Sequence, residues 1–466
     1  MLKLSIYGTL ILKRRRKMDS RITLRAELKN AIEKAGYTLS SLAEYGRLSI
    51  GNLSASLHRE RPRPINIKQL DTLTEALGLP EGHYYEYYLA ECFYNNKVYI
   101  YRMKSFLIRC AQIGKTDLIV NAIDILANHP KYTEVLFSVA EELYLSGFIG
   151  ESIRFYEEVI EEEKYNHSDR VPISHYRIFR ATIGADAEEN YKAVIRFESF
   201  RKKLPEDFQL DALFQLAQIC FCLKKWNLTE QFADELRIHA TIRYQEELIK
   251  SKRTPDPFVT EYPLVFYYGQ SYLIKSVALF KQGHYEKAKQ YIEGYEDLGW
   301  FEILDEQGKK EVDKFRLWAK ANKYSVELLL GNVSVLDEYT NYLADHPDEV
   351  LTGLLLIMEA ANAYGFSIEH ILERFPEPSI ENEVNVVKIE QHLRFHYQKA
   401  VYAFNQQHFA QGLQTILYCL DLSISDKKHA ETVLYTSQFQ KYIEYASDVQ
   451  KKTFANIMKG ALENEN

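Results

Sequence analysis

Apolar side chains return along this chain every three or four residues, and the strict alternation of a half-buried strand is hard to find, so the pattern predicts an all-α fold. Near the start, Leu24, Leu28 and Ile32 share one helical face, and Gly36 closes that helix. Thr38 is placed to cap a second, short helix carrying Leu42 and Ala43. A break at Gly46, Arg47 and Leu48 follows, and Ser49 is placed to cap a third helix through Leu53 and Leu57 to His58. Residues 59–64, RERPRP, are expected to be extended, because proline disfavours a helical residue before it. A fourth helix then runs over residues 67–77 to Gly78. Two short helices joined by a tight turn, the second freshly capped, make a helix-turn-helix pattern inside a domain spanning residues 21–80.

Residues 81–100 open on the aromatic run HYYEYY and read as a linker helix. Beyond them, residues 101–466 carry an internal repetition. Its clearest unit covers residues 272–295, where Leu279, Gly283, Tyr285, Ala288 and Ile292 occupy the positions of a tetratricopeptide (TPR) helix pair. Ala140, Leu143, Gly147, Ile149, Ser152 and Tyr156 repeat the pattern, as do Ala217, Cys220, Trp226, Thr229 and Ala233. Weaker copies centre on Gly331 and on residues 400–419. Equivalent turn positions fall 77 residues apart between Gly147 and Lys224, and 76 between Gly331 and Gln407, which suits two units of slightly over ~34 residues each. The pattern predicts a TPR-like superhelix with a concave inner surface, and three prolines within residues 252–263 mark a hinge or a long loop.

Charge divides the chain in the same place. Residues 1–68 hold 15 Lys and Arg against 5 Asp and Glu, a net of +10, while the remainder carries −17 of the overall −7. A basic head suits a polyanion, and an acidic body does not. Residues 2–12 are apolar and residues 13–17 read KRRRK; the charges follow the apolar run, which is the reverse of a signal peptide, and the run is too short to span a bilayer. With Met18 an equally good initiator, residues 1–20 are expected to be a disordered extension or an over-long start. Five scattered cysteines, Cys220 and Cys222 among them, lack the paired spacing of a zinc site or a disulfide framework, which points to a reducing cytoplasm and no membrane. No phosphate loop, nucleophile elbow or zinc motif appears, so the expectation is no enzyme activity and no cofactor or metal.

The stretch Thr38 to Ala43 (TLSSLA), followed by Leu48, Ser49, Leu53, Ser54, Arg63, Pro64 and the sequence Ala76, Leu77, Gly78, Leu79, resembles the Cro-type (XRE) DNA-binding domain over about sixty residues. The resemblance implies that the third helix enters the major groove of double-stranded DNA. Thr38, Ser49, Ile50, Gly51, Asn52, Ser54, Ala55 and His58 would lie at the groove, with Arg59, Arg61 and Arg63 on phosphates. The chain departs from the family pattern in having Leu39 where Gln is usual and Arg47 where Gly is expected in the turn. Its groove edge is also poor in long polar side chains.

An XRE-type head on a TPR body resembles the RRNPP group of quorum-sensing peptide receptors. That resemblance implies a cytoplasmic, homodimeric transcription regulator controlled by a short signalling peptide. In the TPR register the inner positions are Glu141, Tyr144, Phe214, Gln218, Phe221, Phe280, Arg394, Tyr397 and Phe404, with Arg394 a partner for a peptide carboxylate. The alternative is a protein-interaction adaptor, or a phosphorelay-regulating phosphatase, whose head does not read DNA.

Overall fold

The computed structural model describes residues 23–57, 63–94, 97–163, 168–250, 260–375, 386–425 and 428–463. Within them the protein is all-α, with one two-residue antiparallel ladder pairing Phe93 with Val98 and Tyr94 with Lys97. Contacts divide the chain into two compact units, residues 1–206 and 207–466. The expected extension of residues 1–20 lies outside the described residues, as does most of the expected hinge at 252–263.

In the first unit, α1 (Leu24–Lys34), α2 (Leu39–Tyr45), α3 (Ile50–Leu57) and α4 (Ile67–Ala76) form where the sequence signals place them. They are not a core of their own. Leu28, Leu42, Leu53, Leu57, Leu70 and Leu73 belong to one continuous hydrophobic cluster that runs on to Val159. It takes in α5 (Tyr85–Glu91), α6 (Ile100–Gln112), α7 (Thr116–Leu126), α8 (Tyr132–Leu145) and α9 (Ile149–Glu163). The segment expected as a linker helix is therefore a core element. Tyr84, Tyr85 and Tyr88 are fully buried, the last two against Phe106, and the helix stops at Glu91 before the ladder. Aromatic surface of this size is too apolar to leave in water between two domains. The phenol of Tyr85 donates to Asp71 at 2.7 Å, and Arg109 Nε pairs with the same carboxylate at 2.9 Å, tying α4, α5 and α6 together. The unit continues through α10 (Arg170–Thr182) and α11 (Ala187–Glu198).

The second unit holds α12 (Glu206–Cys222), α13 (Trp226–Lys250), α14 (Leu264–Lys281), α15 (Tyr285–Glu296), α16 (Glu306–Leu329) and α17 (Leu336–Asp345). It ends with α18 (Val350–Tyr364), α19 (Glu369–Arg374), α20 (Val386–Asn405), α21 (Phe409–Ser425), α22 (His429–Lys441) and α23 (Asp448–Glu463). Helices in both units pack mainly on neighbours next or next but one in sequence, the near-neighbour logic of a repeat array.

One turn recurs throughout. At Gly114, Gly147, Lys224, Gly283, Gly331 and Gln407 the backbone enters the left-handed region, and the N–H one residue later donates to a carbonyl five residues back at 2.8–2.9 Å. This Schellman closure ends one helix, and the next α-helix starts after three residues at all of them but Gly331, where a short 3-10 turn over Val333–Val335 comes first. Five of these six positions are the turn positions of the sequence overlay. The small and apolar overlay positions Ala140, Leu143, Tyr156, Ala217, Cys220, Ala233, Ala288 and Ala400 are all buried. Arg47 closes α2 in the same way, with φ of 50°, and Leu48 N donates to the Ala43 carbonyl at 2.8 Å. The adjacent Gly46 serves a different need: a Cβ there would stand 2.6 Å from Thr72 Cγ2, so it lets α4 approach the turn.

Candidate functional sites

The first site is built at the N-terminal end of α3. Thr38 caps α2, its Oγ1 accepting from the Ser41 N–H at 3.1 Å while its own N–H donates to Ser41 Oγ at 3.0 Å, a reciprocal capping box. Ser49 caps α3 through the Asn52 N–H at 3.4 Å. Leu53 and Leu57 point into the core, which turns residues 49–52 to solvent: Ser49, Ile50, Gly51 and Asn52 are exposed, and Ser54 is half-buried. Ala55 departs from expectation. It is 3% exposed, because α3 is short and its second turn lies under the returning chain, where the Arg63 N–H donates to the Ala55 carbonyl at 3.0 Å. It cannot belong to an exposed edge.

Sequence reasoning passed over Arg25, which holds this edge in place from α1. Its Nε donates to the Ser56 carbonyl at 3.0 Å, its Nη2 to the Arg63 carbonyl at 3.3 Å, and its Nη1 pairs with Glu91. A cation at the C-terminal end of α3 satisfies carbonyls the helix leaves open. Arg63 Nη1 in turn donates to Asn52 Oδ1 at 2.9 Å. His58, Arg59 and Arg61 lie outside the described residues. So do nine of the fifteen Lys and Arg in residues 1–68, and the described residues up to Gly78 carry six basic and five acidic side chains. The basic character of the head thus resides mainly in residues 1–22 and 58–62.

The repeat-lining residues separate into three groups. Phe214 and Phe404 are core, each 6% exposed: Phe214 packs edge-on against Phe266 at 5.1 Å, and Phe404 stacks on Tyr442 at 4.1 Å. Phe404 also fills the space above Gly412, where a Cβ would come within 2.4 Å of its ring. Both were expected to face a ligand, and neither does, because the neighbouring helices close over that side of α12 and α20. Tyr397 is half-buried against Tyr435 and accepts from Gln438 at 3.4 Å. Glu141 and Tyr144 meet, but around a scaffold. Arg177 of α10 forks onto Glu141 at 2.9 and 3.0 Å and lies 4.5 Å over the Tyr144 ring, while the buried Tyr156 phenol donates to Glu141 at 2.5 Å.

The third group converges. Arg394 of α20 is exposed and pairs through Nε with Glu359 of α18 at 2.7 Å. Burial pushes the Glu359 carboxyl up, and Arg394 and Lys281 oppose that shift. Lys281, at the end of α14 beside Phe280, remains accessible to water yet is crowded enough that desolvation lowers its ammonium pKa; the like charges of Arg394 and Lys224 lower it further, and the carboxylates of Glu359 and Glu390 oppose the shift. Among the described residues Lys281 makes no ion pair or hydrogen bond. Phe280 and Tyr285 flank it, ring centroids 5.4 Å apart, and Glu359 and Arg394 both perturb the Tyr285 phenol. Phe221, against Trp226 at 5.6 Å, sits on the turn that carries Lys224, and Gln218 is exposed one helical turn before it.

No known family model matches the chain, and no curated protein matches it. A row of polar pairs continues from Arg394 along α18 and α20: Gln391 donates to Thr352 at 3.2 Å, Asn362 to Gln398 at 2.9 Å, and Asn405 to Asn362 at 3.2 Å. Lys281, Glu359 and this seam escaped sequence reasoning. The nearest signal was the position of Lys281 directly after the lining residue Phe280.

No described helix is long and apolar enough to cross a membrane. The described residues hold no cluster of metal-ligating side chains. Cys92 and Cys419 are buried, and desolvation pushes each thiol up to about 12, which removes them from thiolate chemistry at neutral pH.

Proposed function

We propose that this chain is a DNA-binding transcription regulator of the helix-turn-helix kind whose repeat body binds a short signalling peptide, in the manner of the peptide receptors it resembles. The observation that carries the DNA reading is the capped start of α3, which leaves residues 49–52 exposed above a hydrophobic core. Backbone N–H groups at such a helix start and the guanidinium of Arg63 suit phosphates, and the adjacent side chains suit base edges. Residues 13–17 and 59–61 supply further cations for counterion release. The body offers the peptide Lys281 and Arg394 for a carboxylate, Phe280 and Tyr285 for an apolar side chain, and the α18 and α20 seam for main-chain amides. Peptide binding alters DNA affinity through a difference in peptide affinity between free and DNA-bound protein. The protein acts as a cytoplasmic homodimer without enzyme activity.

The near balance of charge over the described part of the head favours a second reading, a protein-interaction adaptor with a head that does not bind DNA. Fluorescence anisotropy of the full chain with a labelled duplex from its own upstream region separates the two. The regulator binds with an affinity that falls about 10³-fold or more between 50 and 200 mM salt if six or more phosphates are engaged. A flat response up to micromolar protein would contradict it.

A further inference from the structure

Helix α13 is apolar on two opposite sides. Phe232, Ala233, Leu236, Ala240 and Tyr244 are buried and build one side into the repeat array. On the other stand Ile238 and Ile242, each 50% exposed, and Ile249, 59% exposed. With the exposed Gln245 they follow one another at spacings of four, three and four residues, which lays them along one stripe of the helix. Isoleucine is a weaker helix former than alanine, glutamate or lysine, and in water its side chain gains nothing. A single exposed isoleucine is ordinary, but three in register on one stripe mark a contact surface.

The charges beside the stripe select what it fits. Along one flank, in chain order, come Glu235, His239, Glu246 and Lys250. A second α13 laid antiparallel, with a two-fold axis between residues 243 and 244, brings that flank against itself in reverse order. Glu235 then meets Lys250 of the copy and His239 meets Glu246, and symmetry makes each pair twice. In the same register Ile238 meets Ile249, and Ile242 meets Gln245, a polar layer of the kind that fixes register. A parallel pair would set the charged flank against the opposite one, where Thr241 and Leu248 carry no charge. Within its own helix Glu246 pairs with Arg243 at 3.0 Å and Lys250 with Glu247 at 3.3 Å. A carboxylate and an ammonium each have room for a further partner. We propose that α13 is a dimerisation helix, pairing antiparallel with α13 of a second copy of this chain through Ile238, Ile242 and Ile249. The inference rests on the homodimer reading and gives it a surface and a register.

The test is sedimentation velocity of the full chain over a concentration series from nanomolar to tens of micromolar. I242E should weaken the dimer by about thirty-fold or more, while I195E, the same change at a 55% exposed isoleucine of α11, leaves it as it was. Should I242E lose helicity in circular dichroism, I242Q, which brings in no charge, takes its place. E235K and K250E should each weaken the dimer about ten-fold, and E235K/K250E together should restore it. A wild-type chain that stays monomeric throughout overturns both the homodimer reading and this inference. A wild-type dimer that the Ile242 variants leave intact, or that I195E weakens equally, overturns the inference alone and leaves the homodimer standing. Failure of the double charge exchange to restore what the single reversals remove overturns the antiparallel pairing.

Discussion

Each compact unit contains a carboxylate and an arginine brought together from distant helices, and the two centres are finished differently. In the first unit Glu141 accepts two bonds from Arg177 and one from Tyr156, and Arg177 covers the Tyr144 ring. Both oxygens of the carboxylate, the guanidinium and the Tyr156 phenol are engaged with one another. In the second unit Glu359 pairs with Arg394 Nε at 2.7 Å, and Lys281 stands nearby with its charge disfavoured by desolvation and by Arg394 and Lys224, against the favourable carboxylates of Glu359 and Glu390. A paired charge is scaffold. A cation beside another cation, open to water and in no direct ion pair among the described residues, is where an anion gains most.

The largest expected effects separate core from lining. Phe404→Ala should lower stability by about 3–5 kcal/mol in urea denaturation, since it removes a stacked, buried ring. Phe280→Ala, at a half-buried position, should cost about 1 kcal/mol or less and weaken peptide binding instead. Equal losses from the two would erase the distinction.

Next comes the direct comparison of the centres. Glu141→Gln should destabilise by about 3 kcal/mol, because it takes away the carboxylate onto which the largely buried Arg177 guanidinium forks. Glu359→Gln should change stability by less than about 1 kcal/mol, since its carboxylate is already disfavoured by burial and its partner is exposed. Thermal midpoints followed by circular dichroism would show the contrast, and a reversed order would break it.

How much of this was legible depends on how local each signal is. Helix ends were readable because Thr38, Ser49, Gly36, Gly147 and Gly283 act on backbone within five residues of themselves. The lining was only half readable. Phe214, Phe221, Phe280 and Phe404 occupy similar repeat positions, yet two are buried and two half-buried, because the covering helix belongs to another part of the chain. Arg177 lies 36 residues from Glu141, and no periodicity announces that pairing. The head suffered in the other direction: its +10 is a true property of the sequence, but nine of its fifteen cations lie outside the described residues. The aromatic run at residues 83–88 likewise gave a helix correctly but concealed that the helix is core.

A smaller effect tests the turn logic shared by both units. Arg47, Lys224 and Gln407 hold left-handed backbone that costs a side-chain-bearing residue roughly 1 kcal/mol. Replacing any one of them with glycine should stabilise by about 0.5–1 kcal/mol, offset in part by glycine's own entropy in the unfolded chain. Differential scanning calorimetry resolves such a shift, and a loss of stability at all three would contradict the assignment.

The pH dependence of ligand binding follows from the sign of the Lys281 shift. Its ammonium loses a proton more readily than an ordinary lysine, so affinity for an anion should decline with rising pH at a value below the usual 10.5. Lys281→Arg should remove that decline without removing binding.

Most direct is affinity selection by the full chain from a random hexapeptide pool, read by mass spectrometry, with the pool supplied either as free C-terminal acids or as C-terminal amides. Retention of free acids over amides by wild type, with that preference lost in K281Q and R394Q, is the predicted result. Equal retention of the two pools, or a preference untouched by both substitutions, would contradict the assignment of an anion site at Lys281 and Arg394.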